Sequence, residues 1–140
     1  MGEGQVLVLT PIGIIHSPYK TVGQAPRQGS GSDEICQVEV FEAFQEGLRD
    51  IEMFSHLILI YWFHLSVGYS LSVTPRWDVR PHGLFTSRSP RRPNPLGLCV
   101  VELLGREGNA LKVRGLDAID GTPLLDIKPY FPRVDERCSV

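Results

Sequence analysis

No apolar run in this 140-residue chain is longer than Leu57 to Phe63, far short of the roughly 20 residues that a membrane-spanning helix needs. The N-terminus lacks a basic segment followed by the apolar core of a secretion signal. Cysteine is scarce, at Cys36, Cys99 and Cys138. Those spacings match neither a paired-ligand zinc pattern nor an even disulfide framework. Together these absences predict a protein of the reducing cytoplasm with no membrane partner. The chain also lacks a GxGxxG after a strand, a GxxxxGK[ST] phosphate loop and an HExxH pair, which argues against a Rossmann cofactor site. There is no internal repeat and no low-complexity tail. The formal net charge of −2 excludes a wholly basic nucleic-acid coat, so any anion site must be local.

One such place is evident. Between Gly83 and Gly97 the chain reads GLFTSRSPRRPNPLG, and no residue from Val79 to Val101 is acidic. Each proline fixes its own φ near −65° and biases the preceding residue toward extended geometry, so Ser89, Arg92 and Asn94 are held away from helix. Arg88, Arg91 and Arg92 are thus carried on a stiff backbone. Their planar donor forks suit carboxylate or phosphate, and the prolines have already restricted the loop's unfolded states. The alternative is a solvated basic turn between strands.

Length and composition, with 42% hydrophobic and 21% charged residues, fit one globular domain over residues 1–140 with a core from about 10 to 132. Ile12 to Ile15 reads as a first strand leading into a long loop from Ser17 to about Asp33. Within that loop, APRQGSGS either binds a ligand through backbone groups or is simply mobile. Ile35, Val38, Val40 and Phe41 predict a second strand. Glu42 to Ile51 predicts a short helix, with Phe44, Leu48 and Ile51 at helical spacing. His56 to Leu65 (HLILIYWFHL) reads as a central strand buried on both faces. Leu71 to Thr74 and Gly83 to Thr86 read as short strands, and Gly97 to Leu104 with Ala110 to Leu116 as a hairpin about the turn Arg106 to Asn109. Many short strands and one helical segment predict a mainly β barrel or sandwich.

Few residues offer chemistry. Cys99 sits in an apolar run and reads as packing. Asp117, Asp120 and Asp126 lie in LDAIDGTPLLDIKPYFP, where Asp120 either caps a turn or accepts hydrogen bonds from a ligand amine or ribose. No carboxylate cluster comes with the histidines of a catalytic metal site, so no metal is expected. His56 and His64 are eight residues apart, which in an unbroken strand puts both on one face. His64 is either a general base or a satisfied structural residue.

The motifs FTSRSPRRPNPLGL, DGTPLLDIKPY, APRQG and FSHLILIYWFH, spread over Pro11 to Pro132, resemble the TrmO (YaeB) family of tRNA adenine-N6 methyltransferases. Many relatives have FATRSP where this chain has FTSRSP, a small-for-small exchange that leaves Arg88 in place. The resemblance implies a single-domain, non-Rossmann β-barrel methyltransferase that uses S-adenosyl-L-methionine and works as a homodimer. It implies a cofactor site made of Pro26, Arg27 and Gln28; His64 and Leu65; Arg88 and Leu98; and Asp117 through Thr122, including Asp120 and Gly121. The chemistry that the resemblance implies, that of the best studied members, is N6-methylation of threonylcarbamoyl-modified adenosine at position 37 of threonine tRNA. Asp120 and His64 are then the candidates to take the amine proton, and Arg91 and Arg92 those to meet tRNA phosphate. Longer bacterial members carry an extra C-terminal domain, whereas this chain ends soon after the barrel motifs, so the resemblance speaks to cofactor more than to substrate. Two other readings stand beside it, a noncatalytic RNA-binding barrel and a methyltransferase of another modified base or small amine.

Overall fold

The computed structural model describes residues 4–21 and 33–136. In chain order its strands are β1 (Gly13–His16), β2 (Ile35–Val40), β3 (His56–Trp62), β4 (Ser72–Val73), β5 (His82–Gly83), β6 (Leu96–Glu107), β7 (Ala110–Arg114) and β8 (Pro123–Pro129). Six of them close into an antiparallel barrel in the order β1-β2-β7-β6-β3-β8, while β4 and β5 pair as a separate ribbon. The fold is mainly β, as the strand pattern predicts.

Period-two alternation explains the barrel. Along β2, Cys36, Val38 and Val40 point into the core while Ile35 and Gln37 face out. Along β3 the buried residues are Leu57, Leu59 and Tyr61. Ile15, Leu111, Val113, Leu116 and Leu124 complete the interior. Gly13 allows the closest approach between strands: a Cβ there would run into the Glu39 carbonyl and lie 3.1 Å from the Val40 Cα.

Four expectations change. β3 is buried on one face only, because in a closed barrel every second residue points outward. Ile58, Ile60 and Trp62 lie instead beside Val100, Leu98 and Leu96 of β6 on the outer wall. The predicted helix at Glu42 to Ile51 is two 3₁₀ segments, Glu42–Leu48 and Ile51–Met53, separated at Asp50, whose φ is 69°. Gly47 weakens a longer helix, and Phe44 is 41% exposed rather than facing the core. Leu84–Thr86 is a 3₁₀ turn, so of the strand predicted from Gly83 to Thr86 only Gly83 pairs, together with His82 before it, opposite Ser72 and Val73. β8, where the sequence predicts no strand, is a full strand between β1 and β3.

The predicted hairpin is present as β6 and β7, turning at Gly108 with φ 62°. No helix among the described residues is long and apolar enough to cross a membrane.

Candidate functional site

One end of the barrel gathers three segments far apart in the chain. The first follows β3, where the strand stops at Trp62 and the chain folds back on itself. The His64 N–H donates to the Trp62 carbonyl at 2.8 Å and the Ser66 N–H to the Phe63 carbonyl at 3.0 Å. His64 therefore lies in a turn beyond the strand, not on its face. The pairing of β3 with β8 also slips between Ile60 and Tyr61, so the even-spacing argument fails. His56 opens β3 at the other end of the strand, 6.4 Å from the Tyr130 ring. The two histidines share no cleft.

The second segment is the arginine loop. It is tied to the β3 turn by Phe63 N–H to Pro95 carbonyl and by Ser66 Oγ to Pro90 carbonyl, both 2.8 Å. Arg88 and Arg91 are exposed, whereas Arg92 is half-buried and turns back onto its own loop. Its Nη1 donates to the Ser87 carbonyl at 2.8 Å and the Ser89 carbonyl at 3.1 Å. The expectation that Arg92 meets phosphate thus has a competitor in the fold itself.

The third segment is Asp117 to Thr122. The Tyr61 hydroxyl, inside the barrel, donates to Asp117 Oδ1. Desolvation above all, then the Asp117 charge, pushes the Tyr61 hydroxyl far above its ordinary value, while the nearby Arg88 guanidinium opposes that rise. Arg88 thus lies within electrostatic reach of the Tyr61–Asp117 pair. Cys99 borders it, donating to the Gly115 carbonyl at 3.1 Å, and burial pushes its thiol up to about 12. Such a thiol stays protonated at neutral pH and packs, as expected.

Asp120 holds other ground. Its Oδ1 accepts from the Ser17 N–H at 3.0 Å and its Oδ2 from Lys20 Nζ at 2.9 Å. These bonds, Lys20 first, hold its carboxyl below the usual range. The carboxylate caps the start of the Ser17 loop rather than its own turn. Gly121, with φ 86°, lets that turn close, and its N–H donates to the Ile15 carbonyl at 2.8 Å. Thr122 is buried beneath, with its Oγ1 2.7 Å from the Ile119 carbonyl.

The predicted site residues fall into three groups. His64, Leu65, Arg88 and Asp117 belong to the segments at the end of the barrel where β3 finishes. Asp120, Gly121 and Thr122 lie beside β1, where the Ser17 loop departs. Leu98 lies on the outer wall beside Ile60 and is 56% exposed. Pro26, Arg27 and Gln28 lie outside the described residues, as does Cys138. Tyr61 was missed as a functional residue, and its only signal was a lone hydroxyl in an apolar run. Among the described residues no three His, Cys, Asp or Glu side chains converge as metal ligands. In a groove elsewhere, lined by Glu42, Glu46, Arg49 and Arg106, Arg49 pairs with Glu46 at 2.7 Å and Arg106 with Glu52 at 3.3 Å.

The donor set suits the amino-acid end of an amino-acid nucleoside. Arg88 offers a cation for a carboxylate, and Asp117 an acceptor for an ammonium or ribose hydroxyl.

The tRNA-methyltransferase O N-terminal domain family matches residues 14–136. A probable S-adenosyl-L-methionine-binding protein of Archaeoglobus fulgidus is 52% identical over 91% of this chain and 35% of its own length. A tRNA (adenine(37)-N6)-methyltransferase of Mus musculus is 36% identical over 95% of this chain and 33% of its own. The crystal structure of TrmO from Pseudomonas aeruginosa superposes with a TM-score of 0.81 at 34% identity, covering 99% of this chain and 62% of that one. The chain therefore spans about a third of the two sequence relatives and under two thirds of the solved one. The shared closed barrel is not a Rossmann fold, and the chain belongs to the tRNA-methyltransferase O family.

Proposed function

We propose that this chain binds S-adenosyl-L-methionine and methylates N6 of an adenosine in tRNA, with threonylcarbamoyl-modified adenosine at position 37 as the substrate. The observation that carries this reading is the grouping of Arg88, Tyr61 and Asp117 at the barrel end. It brings a carboxylate held by a buried hydroxyl within the electrostatic reach of a cation, on a chain whose relatives are named for the cofactor and the reaction.

When bound, the cofactor supplies an electrophilic methyl group on a sulfonium, so the protein need only position the amine and accept its proton. Arg88 would hold the cofactor's carboxylate and Asp117 its ammonium or a ribose hydroxyl. Of the two proton-acceptor candidates the surroundings favour His64. Asp120 spends both oxygens on Ser17 and Lys20, and a carboxylate held below its ordinary range is a poor base. Removing the His64 imidazole should lower kcat roughly 100-fold, whereas Asp120→Asn should preserve kcat and weaken cofactor binding by loosening the Ser17 loop. Normal turnover by His64→Ala would end its role as acceptor.

The homodimer belongs to the same proposal. Trp62, Leu96, Leu98 and Val100 remain substantially exposed on the outer wall. An apolar patch of this kind suits a second copy, and Leu98 would lie within that interface. The cytoplasm, where tRNA is found, is the proposed setting.

Calorimetric titration of the purified protein with S-adenosyl-L-methionine, followed by labelled methyl transfer into unfractionated tRNA, tests the reading. Stoichiometric binding and incorporation into tRNA are expected. A folded protein that binds RNA without the cofactor would instead be a noncatalytic module.

A further inference from the structure

The arginine loop is held by side chains rather than by a strand ladder. Trp77 Nε1 donates to the Thr86 carbonyl at 3.0 Å and Ser66 Oγ to the Pro90 carbonyl at 2.8 Å. Between them, Arg92 Nη1 takes the carbonyls of Ser87 and Ser89 at 2.8 and 3.1 Å. The carbonyls of Thr86, Ser87, Ser89 and Pro90, two on each side of Arg88, therefore each accept a side-chain hydrogen bond. The Arg92 guanidinium carbon also lies 5.9 Å from the centre of the Phe85 ring, within the range of a cation–π contact.

Charge-assisted bonds from one guanidinium to two carbonyls are among the stronger contacts a loop can make. They also fix the backbone on both sides of a single residue. A guanidinium spent in this way, and partly covered by Phe85, has lost much of its freedom to meet a phosphate. Prolines 90, 93 and 95 limit the loop's alternatives, but φ restriction alone does not choose the peptide orientations at Ser87 and Ser89. Arg92 does.

We propose that Arg92 is a positioning residue, which folds the loop around its own guanidinium so that Arg88 is presented to the cofactor's carboxylate. This rests on the cofactor reading of Arg88. Arg91, exposed on the same loop, is left as the arginine facing RNA.

The test is a double-mutant cycle between positions 88 and 92, read by calorimetry with S-adenosyl-L-methionine alone. A salt titration of tRNA binding and a thermal melt accompany it. Arg92→Ala and Arg92→Lys should each raise the cofactor Kd about tenfold in protein that still melts cooperatively. The lysine keeps the charge but loses the planar fork and the Phe85 contact, and it remains useful if the alanine variant folds poorly. In an Arg88→Ala background the same substitutions should add little, because the residue they position is gone. The slope of log Kd for tRNA against log salt should not change. Equal cofactor affinity in wild type and Arg92→Lys, with a shallower salt slope in Arg92→Ala, would overturn the proposal and make Arg92 a phosphate ligand. Additive losses in the cycle would also overturn it, because they would mark general destabilisation. If the wild type binds no cofactor, or Arg88→Ala binds as the wild type does, the cofactor reading itself fails and the role of Arg92 falls with it.

Discussion

Asp117→Ala is expected to cost both stability and cofactor binding. Tyr61 is 1% exposed, and its hydroxyl is satisfied by the Asp117 carboxylate. Removing the acceptor leaves a phenol hydroxyl at the top of the core with nothing in the protein to receive its proton, which costs about 1–3 kcal/mol. The lost bond was to a charged group, so the upper half of that range applies, and the melting temperature should fall by roughly 5–10 °C. Tyr61→Phe removes the donor instead. It strands no buried hydroxyl and leaves Asp117 partly open to solvent, so it should cost less. The ordering Asp117→Ala below Tyr61→Phe below wild type, in urea denaturation, checks the assignment. Tyr61 stays protonated across the neutral range because burial and the Asp117 charge hold its hydroxyl high, so this ordering should not change between pH 6 and 9. In calorimetry both variants should lose cofactor affinity, Asp117→Ala most. If Asp117→Ala melts and binds as the wild type does, the pair has no role in either.

The strands legible in the sequence are those marked by apolar content and turn signals. β2, β7 and the first half of β6 show buried residues at every second position, while β3 is marked by its continuous apolar run although only one of its faces is buried. β8 was not legible, because Pro123 and Pro129 bracket it and Asp126 stands where a core residue would be expected. Proline is tolerated there because it begins and ends the strand. Glu42 to Ile51 misled in the opposite direction: apolar spacings of three and four fit α and 3₁₀ turns alike, and only tertiary placement separates them. Arg88 could be picked out from local composition. Its neighbours could not, since Tyr61, Arg88 and Asp117 meet only once β3, β6 and β8 have closed the barrel. Likewise, Lys20 and Ser17 gave no local sign that they would take up both oxygens of Asp120. The Pro26 to Gln28 segment lies outside the described residues, so its part in the site rests on the resemblance alone.

Gly97→Ala should be the most damaging single methyl group on this side of the barrel. In a strand interior, alanine in place of glycine ordinarily stabilises by about 0.5–1 kcal/mol, by restricting the unfolded chain. Here the sign should reverse. Gly97 faces Tyr61 directly across the β3–β6 ladder, and the aromatic ring lies over the bare backbone, an arrangement that only glycine permits. A Cβ at Gly97 would lie 2.8 Å from Tyr61 Cζ and 2.8 Å from Phe63 Cζ, closer than carbon atoms can pack. The two rings also meet edge to face, 5.6 Å between centroids, so neither can yield without disturbing the other. Overpacking of this kind costs about 1–3 kcal/mol. The cheapest relief, a swing of the Tyr61 ring, would draw its hydroxyl from Asp117 and so reach the proposed cofactor site without touching a residue that binds there. Melting and cofactor titration of Gly97→Ala should therefore fall together, and in a Tyr61→Leu background the alanine penalty should shrink. A Gly97→Ala protein that melts at or above the wild type would mean that the Tyr61 ring does not lie against β6, and the link from Gly97 to Asp117 would be lost.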